Sequence, residues 1–339
     1  MRLFGKDIEK EVTIIAEIGV NHEGSLGKAL ELIELAAGAG ADAVKFQSYT
    51  PERYISSGDP ERLARVTKYC LDLDAHKQLK RKADSCDIHF FSTAVSEDWV
   101  EPIAAISDTI KIASGDLTFE PVIRSAARTG RTIILSVGLG EIAEIDRSVG
   151  WLKEEIGSDK IAGRVALMHC VVAYPTPVEQ ANVSNIGYLQ QRYGLTAGYS
   201  NHVVGPSACY AAAGRGTKLF EVHFTDQKEG RSFRDHALSF NPDELAALVK
   251  ELPRIAAAIG EPGKFRQLAE TANMQAARKG IVAAKDLAAG IVLTEGDLQF
   301  ARPAIEFSSG ELSLVVGARL NIAVKQGFPV PRAAISPKQ

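Results

Sequence analysis

A TIM (β/α)8 barrel followed by a small β-rich module is the fold this sequence predicts, and three observations carry the expectation. About eight apolar, β-branched runs alternate with helix-periodic segments over roughly the first 260 residues, the pattern of repeated strand–helix units. Polar residues gather where those runs end: Glu17, Lys45, Gln47, Thr93, Lys111, Ser114, Asp116, Ser136, Tyr174, Ser200, His202 and His223. In a barrel those ends share one mouth, where an active site is built. Beyond Arg278 the texture changes to short strands broken by glycine. A doubly wound sheet is the main alternative, and the lack of a GxGxxG turn after the first strand argues against it.

Each strand is read from its apolar run. Residues 12–16 (VTIIA) form the first and deliver Glu17; residues 26–37 then show helical spacing. Residues 43–47 (AVKFQ) form the second, with Lys45 and Gln47 alternating onto one face. Residues 51–74 are a charged excursion expected to cross the top of the sheet as loop or short helices, and Asp74 is the expected cap of the helix that follows. The third, fourth and fifth strands are residues 88–91, 109–113 (TIKIA) and 132–137 (TIILSV), with helices at 97–106, 120–128 and 141–156. The sixth is residues 164–170 (RVALMHC), leading to Tyr174 and the turn Pro175-Thr176-Pro177. Residues 195–199 and 218–222 are the last two, separated by a helical stretch and each followed by a histidine. Asn241 with Pro242 opens the closing helix, an N-cap with proline at the first helical position.

The expected division is a barrel over residues 1–262, a linker over 263–279 that is helical over 264–273, and the β-rich module over 280–339. The module is small enough to be marginal alone and is expected to dock on something.

Composition excludes several classes. With 45% hydrophobic and 24% charged residues this is the balance of a soluble globular protein, and a net charge of −3 gives no basis for nucleic acid or an anionic membrane as partner. Cys70, Cys86, Cys170 and Cys209 form no CxxC pair, so reduced thiols in a cytoplasmic protein are expected. Arg2, Lys6, Asp7 and Glu9 do not fit a signal peptide, and the uncharged stretch 193–214 contains Pro206 and several glycines, against a membrane span.

The residues at the mouth indicate chemistry. Two lysines inside apolar strands, with Ser and Thr donors, suit a small polyanion. Two histidines at the ends of parallel neighbours suit a divalent metal that polarises a carbonyl oxygen, or else each satisfies backbone or caps a helix. His22 and His169 are read as structural. Glu17 and Asp116 are candidates for proton transfer or for holding sugar hydroxyls.

Specific motifs then join these residues. They are Ala16-Glu17-Ile18-Gly19-Val20-Asn21-His22-Glu23-Gly24, Val44-Lys45-Phe46-Gln47, Ser92-Thr93, Lys111-Ile112-Ala113-Ser114-Gly115-Asp116, His169-Cys170, Tyr174-Pro175-Thr176-Pro177, Ser200-Asn201-His202 and His223-Phe224-Thr225-Asp226. In these the chain resembles the sialic acid (N-acetylneuraminate) synthases and related nonulosonic acid synthases over essentially its whole length. Its tail resembles the antifreeze-like SAF domain, with Arg302-Pro303 as landmark.

The resemblance implies condensation of phosphoenolpyruvate with N-acetylmannosamine or a related N-acylated amino sugar, with release of phosphate. It implies that His202 and His223 ligate manganese, or magnesium or cobalt. Lys45, Thr93, Lys111, Ser114 and Ser200 hold phosphoenolpyruvate, and Gln47, Asp116, Tyr174 and Asp235 contact the sugar. Glu17 moves a proton, and Arg302 arrives from the second subunit of a domain-swapped homodimer. Val172 replaces an asparagine usual in the family, Asp116 a glutamate, and Ala276 an expected aromatic residue. The alternatives are a legionaminate- or pseudaminate-type synthase using a diacetamido-hexose, a barrel aldolase making a 3-deoxy sugar acid, and a non-catalytic sugar-binding protein. The C-terminal module argues against the aldolase, and the full set of mouth residues against the non-catalytic reading.

Overall fold

Eight parallel strands close into a barrel: β1 (Thr13–Gly19), β2 (Ala43–Ser48), β3 (His89–Ala94), β4 (Thr109–Ile112), β5 (Thr132–Ser136), β6 (Val165–His169), β7 (Thr196–Asn201) and β8 (Leu219–His223). Each pairs with the next in sequence, and β8 pairs with β1 to complete the ring. This computed structural model describes residues 1–231 and 233–336; Ser232 of the loop 227–234 and the last three residues expected in the C-terminal module lie outside the described residues.

Side-chain alternation along the strands explains the interior. Ile15, Ala43, Phe91, Ile134, Ala166, Met168 and Leu219 form one apolar cluster from six strands. Two residues further along, on the same face, come Glu17, Lys45, Thr93, Ser136, Cys170 and Glu221. An apolar floor is thus followed by a polar storey through side-chain alternation alone. The floor is closed from below by an N-terminal hairpin, Arg2–Leu3 paired with Lys6–Asp7, whose Leu3 and the following Ile8 are buried in the same cluster. The sequence reading did not anticipate this hairpin, because two-residue strands carry no periodicity to detect.

Helices cover the outside of the ring through a single continuous core that includes Leu32, Val44, Ile110, Leu152 and Leu248. The last of them, Pro242–Ile259, starts as expected: Asn241 accepts from the Glu244 amide, and Glu244 bonds back to Asn241. The cap of Leu73–Ser85 is Asp72 rather than the expected Asp74; Asp72 accepts from the Ala75 amide. Asp74 lies already inside the first turn. The excursion after β2 forms two short helices, Pro51–Tyr54 and Pro60–Tyr69, each with proline at its start.

A first compact unit ends at Gly260 and a second begins at Glu261. The second has its own core, including Ile281, Leu287, Phe307, Leu320 and Val330. Gly280–Ala283 pairs antiparallel with Leu298–Ala301, and Arg319–Leu320 with Ile335–Ser336. The helical linker expected over 264–273 does not form: that stretch holds one 3-10 turn, Leu268–Glu270, followed by the short helix Met274–Ala277. Its apolar side chains find no face to bury, Leu268 being 90% exposed, so nothing offsets the entropy of helix formation. Among the described residues no helix is long and apolar enough to cross a membrane.

Close packing of β7 between its neighbours depends on Gly198. A Cβ there would meet the Leu219 carbonyl oxygen at 2.6 Å and the Met168 Sδ at 2.9 Å. Gly198→Ala is expected to destabilise the fold by about 1–3 kcal/mol. A urea titration would show this as a lower midpoint at unchanged slope.

Candidate active site

The polar storey of the barrel is a chain of alternating charges. Glu17 from β1 pairs with Lys45 of β2 at 2.8 Å, Lys45 lies 3.5 Å from Glu221 of β8, and Glu221 pairs with Lys111 of β4 at 2.7 Å. β4 and β8 stand on opposite sides of the ring, so the last pair spans the interior. All four side chains are at most 5% exposed. The Nζ of Lys45 also donates to Thr93 Oγ1 at 3.2 Å, and Ser200 Oγ donates to Glu221 Oε1 at 3.2 Å.

Burial acts against every charge in this chain, and the neighbours decide the outcome. Burial raises Glu221, but Lys111 and Lys45 outweigh it and hold the group below the ordinary carboxylate range. Burial also raises Glu17, where the Glu221 charge adds to it, and Lys45 only partly compensates; Glu17 stands at about 7. Lys45 has two carboxylates beside it, and they outweigh burial and raise it. Lys111 has one, and burial leaves it lowered.

One storey higher stand His202 and His223, with ring centroids 5.3 Å apart and planes tilted by 62°. Burial pushes His202 down to about 4, and burial together with the His202 ring puts His223 well below its ordinary value. Both imidazoles are neutral at neutral pH, the state in which a ring nitrogen offers its lone pair. His202 Nδ1 bonds the Val171 carbonyl at 2.6 Å, which requires the proton on that nitrogen and leaves Nε2 as the free acceptor. His223 Nδ1 faces the buried Asp235 carboxylate at 4.0 Å, and Asp235 Oδ1 lies 3.3 Å from Arg234 Nε. Among those residues no three His, Cys, Asp or Glu side chains converge as metal ligands. A divalent ion here would have two imidazoles as its protein ligands and its other positions open, unlike a closed structural site.

A cavity of 1140 Å3 opens above these storeys. It is lined by all twelve residues expected on the barrel: Glu17, Lys45, Gln47, Thr93, Lys111, Ser114, Asp116, Tyr174, Ser200, His202, His223 and Asp235. Arg302 belongs to the second unit, directly after its strand Leu298–Ala301. Tyr174 stacks on His202 with centroids 4.3 Å apart, and the Arg234 guanidinium covers its other neighbourhood at 4.9 Å from the ring centre. Ser114 Oγ accepts from the Gly138 amide at 3.0 Å and lies 3.1 Å from Cys170 Sγ. A Cβ at Gly138 would approach Ser114, Cys170 and Val172 to 2.8 Å, so only glycine lets this amide reach in. His22 and His169 bond backbone groups, Gly24 N and Ala181 O, as structural residues do.

The sequence reading missed Glu221. A signal existed: it interrupts the apolar strand β8 two residues before His223, the same pattern that drew attention to Lys45 and Lys111. It also missed Arg62, Arg65 and Tyr69, which reach the cavity from the helix Pro60–Tyr69. They are far from any strand end, so strand logic could not find them.

The chain matches the NeuB family over residues 32–264 and the SAF domain over residues 278–335. It is 36% identical to the N,N'-diacetyllegionaminic acid synthase of Campylobacter jejuni over 309 residues, covering 87% of this chain and 91% of that one. The N,N'-diacetyllegionaminic acid synthase of Legionella pneumophila is 29% identical, with 93% and 92% covered. Among solved structures, the N-acetylneuraminic acid synthetase of Leptospira borgpetersenii is 31% identical, with a TM-score of 0.75 over 80% of this chain and 94% of that one.

Asp116, on the turn after β4, is lifted by burial to about 7. Its folded pKa stands above the ordinary carboxylate value, so the protonated form is favoured in the fold. That contribution is present at acidic pH and lost as pH rises through about 7. Asp116→Asn is neutral throughout. The melting temperature of the variant minus that of the unsubstituted protein should therefore increase between about pH 5 and about pH 8; a pH-independent difference would contradict the assignment.

Proposed function

The chain belongs to the NeuB family, and from that premise we propose that it is a nonulosonic acid synthase condensing phosphoenolpyruvate with an N-acylated amino sugar in its open aldehyde form. The observation that carries this is the sharing of one cavity by two buried ammonium groups and two neutral imidazoles. Lys45, Lys111, Thr93, Ser114 and Ser200 hold the carboxylate and phosphate of phosphoenolpyruvate through charge-assisted hydrogen bonds. Gln47, Asp116, Tyr174 and Asp235 face the sugar. Glu17, raised to about 7, is protonated in a large share of molecules at neutral pH and serves as proton donor to the aldehyde oxygen.

In the reaction, C3 of phosphoenolpyruvate forms the new bond to the aldehyde carbon, and the aldehyde oxygen takes a proton. Water adds to C2, and phosphate leaves with its bridging oxygen. His202 and His223 would hold a divalent ion, manganese or in its place magnesium or cobalt. When bound, it supplies positive charge that polarises a carbonyl group. The His202 Nδ1 bond to Val171 keeps that ring in the orientation needed.

The acceptor in this proposal is a diacetamido-hexose, with N-acetylmannosamine as the competing candidate. Two of the three synthases compared above are named for a diacetylated product and the third for N-acetylneuraminic acid. Val172, Leu139 and Phe119 are among the apolar side chains that line the cavity beside its polar groups, which suits a second acyl methyl. Arg302 enters through the SAF domain of a second copy.

Phosphate release from phosphoenolpyruvate should require an amino sugar, be fastest with a diacetamido-hexose, and stop on chelation of divalent ions. Inactivity across the whole sugar panel would overturn the reading. His202→Ala should lower turnover by about 100-fold or more with the circular dichroism spectrum unchanged. Arg302→Ala and His202→Ala, each nearly inactive alone, should regain activity when mixed and reassembled; no recovery would remove the second copy from the site.

A further inference from the structure

Glu221 touches more of the cavity's anion-binding groups than any other side chain in it. Oε2 takes Lys111 Nζ at 2.7 Å. Oε1 takes Ser200 Oγ at 3.2 Å and lies 3.5 Å from Lys45 Nζ. Its own backbone is fixed in β8, hydrogen-bonded into the ladders on both sides. Those three partners come from β2, β4 and β7, and without Glu221 nothing in the ring links them. Lys45 retains Glu17 at 2.8 Å, but Lys111 has no other carboxylate within ion-pair distance among the described residues. A lysine side chain is long and rotatable, so an ammonium without that anchor loses both its place and its compensation.

We propose that Glu221 is a positioning residue that assembles Lys45, Lys111 and Ser200 into one preformed cradle for the phosphoenolpyruvate anion. This rests on the synthase reading above. It has a consequence of definite sign. Glu221 is an anion at the heart of a site for an anion. If it acted only through its charge, removing that charge would tighten phosphoenolpyruvate binding. If it acts by positioning, removing it loosens binding although the site becomes more positive.

The test is calorimetric binding of phosphoenolpyruvate to the full chain, with steady-state kinetics alongside. Glu221→Gln is expected to weaken phosphoenolpyruvate binding by about 10-fold or more and to raise its KM, while the KM for the sugar holds. Glu221→Asp keeps the charge with a shorter reach and should recover part of the loss. In a Lys111→Met background, Glu221→Gln should cost much less than it does alone, because the principal group it holds is gone. The double variant replaces a buried pair by neutral groups and so also provides a folded comparison if Glu221→Gln alone proves unstable. Equal or tighter binding by Glu221→Gln overturns the inference, as do equal losses in the two backgrounds. An unsubstituted chain that does not bind phosphoenolpyruvate overturns the synthase reading and the cradle with it. Binding by that chain, together with indifference to Glu221→Gln, overturns the cradle alone.

Discussion

The ion pair between Lys111 and Glu221, 2.7 Å across the barrel interior, is the contact on which the rest of the site depends. Neither residue can be buried alone, because an uncompensated charge in this interior is prohibitively costly. Their strands lie on opposite sides of the ring, so the pair forms only when the barrel is closed and every strand is in register. A slip of one residue in either strand would turn its charge outward and bury an apolar side chain in its place. Through Glu221 the same pair draws in Lys45 and Ser200, which places the anion-binding groups of two further strands, and Lys45 in turn holds Glu17. A structural requirement and the arrangement of the cavity are met by one set of contacts.

Barrel interiors are ordinarily filled by layers of apolar side chains. Here the floor obeys that rule and the storey above it does not. Apolar packing fills the interior below, where Ile15, Phe91, Ile134 and Leu219 pack with the N-terminal hairpin. Polar chemistry is concentrated above. This separation lets the levels above carry the chain from Glu17 through Lys45 and Glu221 to Lys111, and two neutral imidazoles over it, while the floor stays apolar. The membership of the NeuB family and the SAF domain at the C-terminus place this arrangement in a group whose compared members are named as synthases of N,N'-diacetyllegionaminic acid and N-acetylneuraminic acid.

Reading the chain from residue to structure succeeded where a local rule governs and failed where it does not. Lys45 and Lys111 stood out because a lysine inside an apolar strand has to point somewhere specific. Asn241 was recognisable as a cap because its bonds are made within four residues. Asp74 was mistaken for a cap in place of Asp72, since two aspartates so close together differ only in which one starts the first turn. The linker at 264–273 has helical composition, but a helix there would have no surface to pack against. Glu221 obeys the same rule as the lysines, a charge buried inside an apolar strand.

By itself the amino-acid sequence determined the alternation of strands and helices, the division into barrel and C-terminal module, and the strand ends at which polar side chains gather. These follow from periodicities of two and 3.6 residues and from the restricted conformations of proline and glycine, all of which act over short distances. Only the closed tertiary structure decided which of those polar groups meet. Partners from β1, β2, β4, β7 and β8 are brought within 3.5 Å by closure of the ring, and no local pattern encodes a distance across it.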